Sequence, residues 1–377
     1  YPVLLAFNMP TSSVGPLVNL LLVPLFGLFV VPFGLLATVA ALLLPAVGAG
    51  LSWLADLLAL IHALLADLSA IDLLVPPMAW SLPHWVLLAA GTLLLFAPLG
   101  TRLRGVGLVL ILGAHLPQQP VLHEGDFAIV LLDVGQGLSI LVETRRHVLL
   151  YDTGAAYPSG FNMADAVLVP YLRHRGIGRL DTLVLSHGDN DHDGAAAHLL
   201  QQIRAEEVVS GEPWRTPVED HLCSPGRQWD WDGVHFAFIQ PEQERRSRGN
   251  NASCVLLVSG PGGRVLIPGD IESRVERQLA PVLADVVPID IVVASHHGSG
   301  SSSAQALIES LHASHVLYAV GARNRYGFPN PQVAARWQQA GARAWRTDRH
   351  GAVSFRVQAA EGVLGPFLFH PANRRYW

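Results

Sequence analysis

The chain has 377 residues, half of them hydrophobic and 15% charged, with a net charge of −5 and a mean hydropathy of +0.34. Residues 1–120 carry five charged side chains, Asp56, Asp67, Asp72, Arg102 and Arg104, and the rest of the chain carries fifty. That split excludes a purely soluble enzyme, a disordered chain and a disulfide-dense mini-domain, and the net acidic balance gives no global field for nucleic acid.

The first part, residues 1–120, reads as transmembrane helices. Opening on Tyr1, apolar at once and with no cleavable signal, it reads as a fragment whose own N-terminus lies upstream. Residues 17–44 supply one span or a bent pair. Pro24, Gly27, Pro32 and Gly34 interrupt that run. Such breakers survive in lipid where neighbouring helices or water satisfy the backbone, which favours part of a multi-helix channel over a plain anchor. Ser52, Asp56, Ala59, Ala63 and Asp67 recur at helical spacing, a small-polar stripe that can face helices, a pore or the interface. Two shorter apolar stretches, 85–99 and 106–116, flank Arg102 and Arg104. If both cross, the arginine loop is cytoplasmic and everything after Pro117 emerges on the opposite face. The run 117–120 reads as the linker.

From residue 121 to 377 the pattern changes to short strands alternating with helices. Strands are expected at 127–133, 138–143, 147–151, 180–186, 289–294, 315–320 and 352–357. Hairpins are expected over 228–239, turning at Asp232-Gly233, and over 253–267, turning at Gly260-Pro-Gly-Gly263. Helices are expected at 163–175, 191–203, 271–283, 303–311 and 332–340. Strands first and then βα units suggest sheets packed between helix layers. Cys223 and Cys254 are too few for a CxxC metal site. They are expected to form a disulfide if this part faces an oxidising compartment.

The chemistry gathers at strand ends. Thr182-Leu-Val-Leu-Ser186 runs into His187-Gly-Asp189-Asn-Asp191-His192, four potential metal ligands within six residues. Clustered carboxylates and imidazoles are costly to desolvate unless a cation neutralises them. A loop capping the next helix, with Asp191 near the N-cap, explains one aspartate but not the two histidines. Val265-Leu-Ile-Pro-Gly269-Asp270 and Val292-Val-Ala-Ser-His296-His297 end two more apolar strands in the same way. Three strand ends delivering His and Asp to one edge describe a binuclear metal site, with Asp270 bridging the ions and a shared water made more acidic.

The segment His187-x-Asp189-x-Asp191-His192 resembles the HxHxDH motif of the metallo-β-lactamase superfamily, with Asp in place of the second His. Asp133-Val-Gly-Gln-Gly137, Leu149-Leu-Tyr-Asp152-Thr-Gly154, Gly269-Asp270 and Ser295-His-His-Gly-Ser299 follow in family order. With Gly15-Pro-Leu-Val-Asn19-Leu-Leu-Leu-Val-Pro24 in the first part, the sequence resembles the ComEC family of inner-membrane DNA-uptake channels of natural transformation. The resemblance implies an α-helical membrane segment, the end of a competence domain, followed by an α/β αββα sandwich with metals at one sheet edge. It implies that most of the channel and an N-terminal OB-like domain are absent. The implied ligands are His187, Asp189, Asp191, His192, Asp270 and one of His296 or His297. Asp152 would brace the ligand loop, and Asn250-Asn251-Ala-Ser253 occupies the position where many superfamily members offer another histidine. Leu138 stands where many relatives have Asp, so the first of one or two divalent ions is the firmer expectation. The carboxylate-rich set favours Mn²⁺ over Zn²⁺.

The resulting expectation is a multi-pass inner-membrane protein of DNA internalisation whose extracytoplasmic domain is a metal-dependent nuclease. Asp191 and Asp270 would be its catalytic carboxylates. Its partners would be single- or double-stranded DNA, membrane lipid, other competence proteins and the missing N-terminal part. Arg323, Asn324, Arg325 and Tyr326, and separately Arg245, Arg246 and Arg248, are candidate DNA contacts. Two rivals share the sequence: a membrane-tethered hydrolase of small or wall-associated phosphoesters, and a non-catalytic DNA-conducting channel.

Overall fold

The computed structural model describes residues 11–12, 15–43, 56, 59–61, 63, 74–75, 82–96, 101–114, 122–212, 220–241 and 248–369. Arg245, Arg246, the 117–120 linker and, of the expected polar stripe, Ser52 and Asp67 lie outside them. The chain divides into one unit of residues 1–117 with 173–176 and a second of 118–172 with 177–377.

In the first unit, helix α1 (Gly15–Leu25) runs through a wide π turn (Phe26–Val30) into α2 (Val31–Leu43). The turn lies between Pro24 and Pro32, which lack the amide hydrogen a regular helix needs, and a local π adjustment absorbs such a gap. Leu22–Leu43 is long and apolar enough to cross a membrane. At 1.5 Å per residue it spans about 33 Å, enough for a hydrocarbon core of about 30 Å. Leu28, Leu35, Leu36, Leu42 and Leu43 are all exposed, as side chains meeting lipid are. The Thr38 hydroxyl donates to the Gly34 carbonyl at 2.8 Å, so it needs no water. Helices α3 (Leu82–Phe96) and α4 (Thr101–Gly113) are shorter and pack on each other. A Cβ on Gly91 would stand 2.7 Å from the Gly107 carbonyl oxygen, and one on Gly107 equally close to that of Gly91. Small residues at such a crossing let two backbones touch. Two short strands, β1 (Thr11–Ser12) and β2 (Leu74–Val75), pair antiparallel.

The second unit is a pair of sheets between helix layers. In chain order its strands are β3 (Phe127–Leu131), β4 (Ile140–Glu143), β5 (Val148–Tyr151), β6 (Arg179–Leu185), β7 (Arg204–Ser210), β8 (Asp220–Leu222), β9 (Gln228–Trp231) and β10 (Val234–Phe238). They continue as β11 (Leu256–Gly260), β12 (Gly263–Ile267), β13 (Ile291–Val293), β14 (His315–Tyr318), β15 (Arg343–Arg346), β16 (Val353–Gln358) and β17 (Gly362–Leu368). One sheet has the order β17-β16-β3-β4-β5-β6-β7-β8 and the other β15-β14-β13-β12-β11-β10-β9. Alternation along each strand builds three cores. Phe127, Ile129 and Leu131 of β3 meet Leu256, Val258, Val265 and Ile267 of the other sheet. Val130, from the opposite face of β3, packs with α5 (Val169–His174) and the short helices α6 (Asn190–Asp193) and α7 (Ala196–Leu200) nearby. Leu257 and Leu266 pack with α8 (Ser273–Val282), α9 (Gln305–Leu311) and α10 (Pro331–Gln339). Strands buried on both faces read as continuous apolar runs, as these do. This is the αββα sandwich.

Details depart from expectation. The helix expected at 191–203 is two pieces, because the Ala195 amide donates to the Gly154 carbonyl at 3.0 Å instead of continuing the helix. The helix expected at 163–175 opens as a π turn, Ala164–Leu168. Strands β7, β8, β15 and β17 were not anticipated. β7 begins with the polar Arg204-Ala-Glu-Glu, β8 and β15 are short, and β17 contains Gly365-Pro366. Cys223 and Cys254 form the expected disulfide, with Cα atoms 5.8 Å apart.

Candidate metal centre

The chemistry-bearing residues sit just beyond the C-terminal ends of two parallel strand pairs, β5 with β6 and β12 with β13. Asp152 follows β5, His187 to His192 follow β6, Asp270 follows β12, and His296 and His297 follow β13. The Val-Gly-Gln-Gly loop is fitted to this edge. A Cβ on Gly137 (φ 148°) would lie 2.5 Å from the Asp191 carbonyl oxygen, so only glycine lets the loop come this close. His296 and His297 both adopt left-handed backbone (φ 50° and 55°), followed by Gly298 at 80°. Non-glycine residues rarely hold this conformation, and it concentrates at functional sites.

Three imidazoles present bare Nε2 atoms to one region. His192 Nδ1 lies 2.7 Å from Asp152 Oδ2, an atom that can only accept when ionised. His297 Nδ1 lies 2.8 Å from the Ala319 carbonyl oxygen. His187 Nδ1 faces the hydroxyls of Ser186 (3.0 Å) and Ser253 (3.3 Å). Those hydroxyls already donate to Asp152 Oδ2 and the Asn250 carbonyl, both at 2.7 Å, so here they accept. Each Nδ1 therefore carries a proton, and in the neutral ring each Nε2 has the lone pair. His187 Nε2 is buried and makes no hydrogen bond; Asp189 Oδ2 stands 3.4 Å from it. His192 Nε2 and His297 Nε2 face each other at 3.2 Å. Asp270 Oδ2 is 3.2 Å from His192 Nε2, 3.6 Å from His297 Nε2 and 3.8 Å from His296 Nε2. Asp191 Oδ2 is 3.3 Å from His297 Nε2.

Ligand atoms of His187, His192 and Asp270 all lie within 4.8 Å of one another, and so do those of Asp191, His192 and His297. Lone pairs facing lone pairs with carboxylates between them fit a cation. Burial alone would push the His192 imidazole down, yet Asp270 and Asp152 hold it well above the ordinary histidine range. Burial alone would raise Asp270, yet His192 and His297 hold it well below the carboxylate range. Asp191 is lowered against its burial by His297 and His192. Without a cation, a proton on His192 balances this carboxylate charge; a divalent ion on the same donors would replace it.

The other expected residues fall into two groups. Asp152 is buried and holds Ser186 N, Ser186 Oγ and His192 Nδ1, at 2.6, 2.7 and 2.7 Å. Ser253 Oγ accepts from the Asp270 amide at 3.0 Å. Asn251 is joined to Glu272 through both its amide atoms. Asp189 is more than half exposed and stands outside both tight ligand groups. It is the N-cap residue by backbone angles but makes no capping bond. His296 is the more remote of the paired histidines, its Nδ1 near Ser301 Oγ (3.2 Å) and Asn250 Nδ2 (3.4 Å).

Asp191 also borders a cleft of about 920 Å³ whose lining includes Arg323, Asn324, Arg325, Tyr326 and Gln136. The Asn324 side chain, expected to contact DNA, ties its own loop: its Oδ1 accepts from Phe328 N at 2.8 Å and its Nδ2 donates to Phe328 O at 2.9 Å. Sequence reasoning missed Ser186, the Ala319 carbonyl and Glu212, whose carboxylate accepts from Gly188 N (2.9 Å) and Gly249 N (3.2 Å). The position of Ser186, between strand and ligand, was its one available signal; Glu212 had none.

Residues 132–315 match the metallo-beta-lactamase superfamily, and residues 1–100 match the Competence protein family. The chain is 33% identical over 345 residues to Competence protein ComA of Neisseria gonorrhoeae, covering 91% of this chain and 48% of that protein. It is 26% identical over 405 residues to ComE operon protein 3 of Bacillus subtilis, covering 97% of this chain and 51% of that one. The chain thus spans about half the length of these curated relatives. Among solved structures it is similar to the metallo-beta-lactamase fold protein YhfI of Bacillus subtilis, at TM-score 0.43 and 11% identity, over 61% of this chain and 99% of that one. The superfamily's fold binds divalent metals, and this chain presents the His/Asp clusters for it. With the competence match over its apolar helices and the superfamily match over its sandwich, the chain belongs to the ComEC competence-protein family.

Proposed function

We propose that this chain acts in DNA uptake at the cell membrane and that its sandwich domain hydrolyses phosphodiester bonds of the incoming DNA. One observation carries the reading: three Nε2 lone pairs and two carboxylates converge beside a cleft that also holds Arg323 and Arg325. His187, His192, His297, Asp191 and Asp270 would hold one or two divalent ions, with Mn²⁺ favoured by the carboxylates and Zn²⁺ the alternative. When bound, the ions supply positive charge at the phosphoryl group and make water more acidic. Asp191, ionised and reachable from the cleft, orients the attacking water by accepting its hydrogen bond. Asp270 fixes the spacing of the imidazoles around it. Arg323 and Arg325 position the phosphate backbone and oppose the charge that develops on it.

The Cys223–Cys254 disulfide supports a location for this domain in an oxidising, extracytoplasmic space. The apolar helices support a membrane setting, with several passes, lipid and DNA-delivering competence proteins as neighbours. The test is cleavage of labelled DNA by the purified chain with Mn²⁺. Cleavage is expected with wild type, lost on chelation, and reduced at least about a hundredfold in Asp191→Ala. Intact DNA in every wild-type reaction would leave a conducting channel without chemistry.

A further inference from the structure

Two exposed tyrosines line the cleft that holds Asp191, and only one of them lies in the Arg323–Tyr326 segment. Tyr157 is 43% exposed and Tyr326 53% exposed. Phe161, 53% exposed, packs on Tyr157 with ring centroids 5.9 Å apart. Large rings left in water on a soluble surface mark a binding face.

Neither ring is loose. The loop carrying Tyr157 is closed by an Ala156–Asn162 bridge and by two backbone bonds, Tyr157 N to Phe161 O (2.8 Å) and Gly160 N to Tyr157 O (2.9 Å). Tyr326 stacks on Phe328 at 5.5 Å and 17°, and Arg325 both donates to its hydroxyl at 2.8 Å and covers its ring at 4.9 Å. Phe328 in turn stacks on His297 at 6.3 Å and 20°. A rigid ring of this kind loses little freedom on binding a flat partner.

We propose that Tyr157, backed by Phe161, and the Arg325 guanidinium held over Tyr326 form a stacking platform for unpaired nucleobases beside the reaction centre. The substrate of this cleft is then a single strand, whose bases are free to leave their own stack. This rests on the phosphodiester reading and adds the state of the strand and the residues that select it. Aromatic faces accept every base, so the platform discriminates paired from unpaired DNA without reading sequence. The neighbouring arginines favour a nucleic acid over an apolar protein surface as the occupant.

The test is equilibrium binding of the full chain in detergent to cleavage-resistant phosphorothioate oligomers of about ten nucleotides, the scale of a single-strand site. Three probes are used: oligothymidine, an abasic strand of equal length and a duplex. Wild type is expected to hold oligothymidine about tenfold more tightly than the abasic strand, and more tightly than the duplex. Tyr157→Ala with Tyr326→Ala should remove the preference for bases, while Tyr157→Trp should keep it. Equal wild-type affinity for the three probes, or an unchanged preference in the double variant, overturns the platform. So does failure to bind any of them, which would leave the rings to a protein partner. Because the probes resist cleavage, a preference for bases in a chain that cleaves no ordinary DNA supports the platform and overturns the nuclease reading alone.

Discussion

Every Nδ1 proton of His187, His192 and His297 already has an acceptor, and that is why their Nε2 atoms are left for something else. Asp152 fixes one of these tautomers directly. Replacing such a carboxylate partner of a ligand histidine costs about 10–100-fold in metal affinity, and Asp152→Asn is expected to fall in that range by competition with a chromophoric chelator. Asp270 stands among three imidazoles, so Asp270→Ala should retain less than half the wild-type metal; equal content by elemental analysis would remove its bridging role. The clustering of these side chains was legible because dense His and Asp directly after an apolar strand have no packing use. Asp152 was expected as a brace only through the family resemblance; the groups these braces use were not legible, since Ser186 lies 34 residues from Asp152 and Ala319 22 from His297. Only the fold makes such pairs neighbours, and neither serine nor a backbone carbonyl stands out in a sequence.

Among the elements, the β9–β10 hairpin shows why turn chemistry can be read and edge strands cannot. Its two-residue turn, Asp232-Gly233, has φ of 48° and 79°, the geometry that Asp-Gly favours between right-twisted strands. β7 and β17 carry no such signal, and polar or Gly-Pro residues mask them. Asp232 also anchors the neighbouring loop, accepting from Arg146 N, Arg146 Nε and Thr144 Oγ1, each at 2.8 Å. Burial alone would raise this carboxyl, but the Arg146 and Thr144 bonds hold it well below the usual carboxylate range. A lowered folded-state pKa means stability that is present above the unfolded value, roughly 4, and lost as pH falls toward the folded one. Asp232→Asn is therefore expected to cost about 2 kcal/mol at pH 7 and much less near pH 3. Denaturant midpoints at the two pH values measure both, and an equal loss at each would exclude the ionised form as the source. The Cys223–Cys254 bond closes a loop of sequence separation 31, worth about 3.7 kcal/mol by chain entropy. The double Cys→Ser variant should unfold at correspondingly lower denaturant, and two free thiols in protein trapped from intact cells would count against the extracytoplasmic placement.

For the molecule as a whole, the distribution of charge separates its tasks. An almost uncharged first unit and a charged sandwich are legible from composition alone, and the order of strand-end motifs is enough to place the His/Asp cluster at one sheet edge. What composition conceals is where a net-acidic chain would meet a polyanion. The structure puts Arg323 and Arg325 in the cleft with Asp191, so on the proposed function binding and chemistry would share one opening but use different residues. Contacts from arginine to phosphate are independent of sequence and release counterions, so they weaken steeply with salt. Asp191→Ala removes a negative charge and a ligand but no phosphate contact; it should abolish cleavage and keep DNA binding. Arg323→Ala with Arg325→Ala should weaken binding and lower the slope of log affinity against log salt by up to about two, roughly one per phosphate lost. Titrating single-stranded DNA at several salt concentrations beside a cleavage assay reads both quantities. An unchanged slope in the arginine variant would place the DNA track elsewhere on the domain. Wild-type cleavage by Asp191→Ala would remove the metal edge from the chemistry, whatever the arginines do.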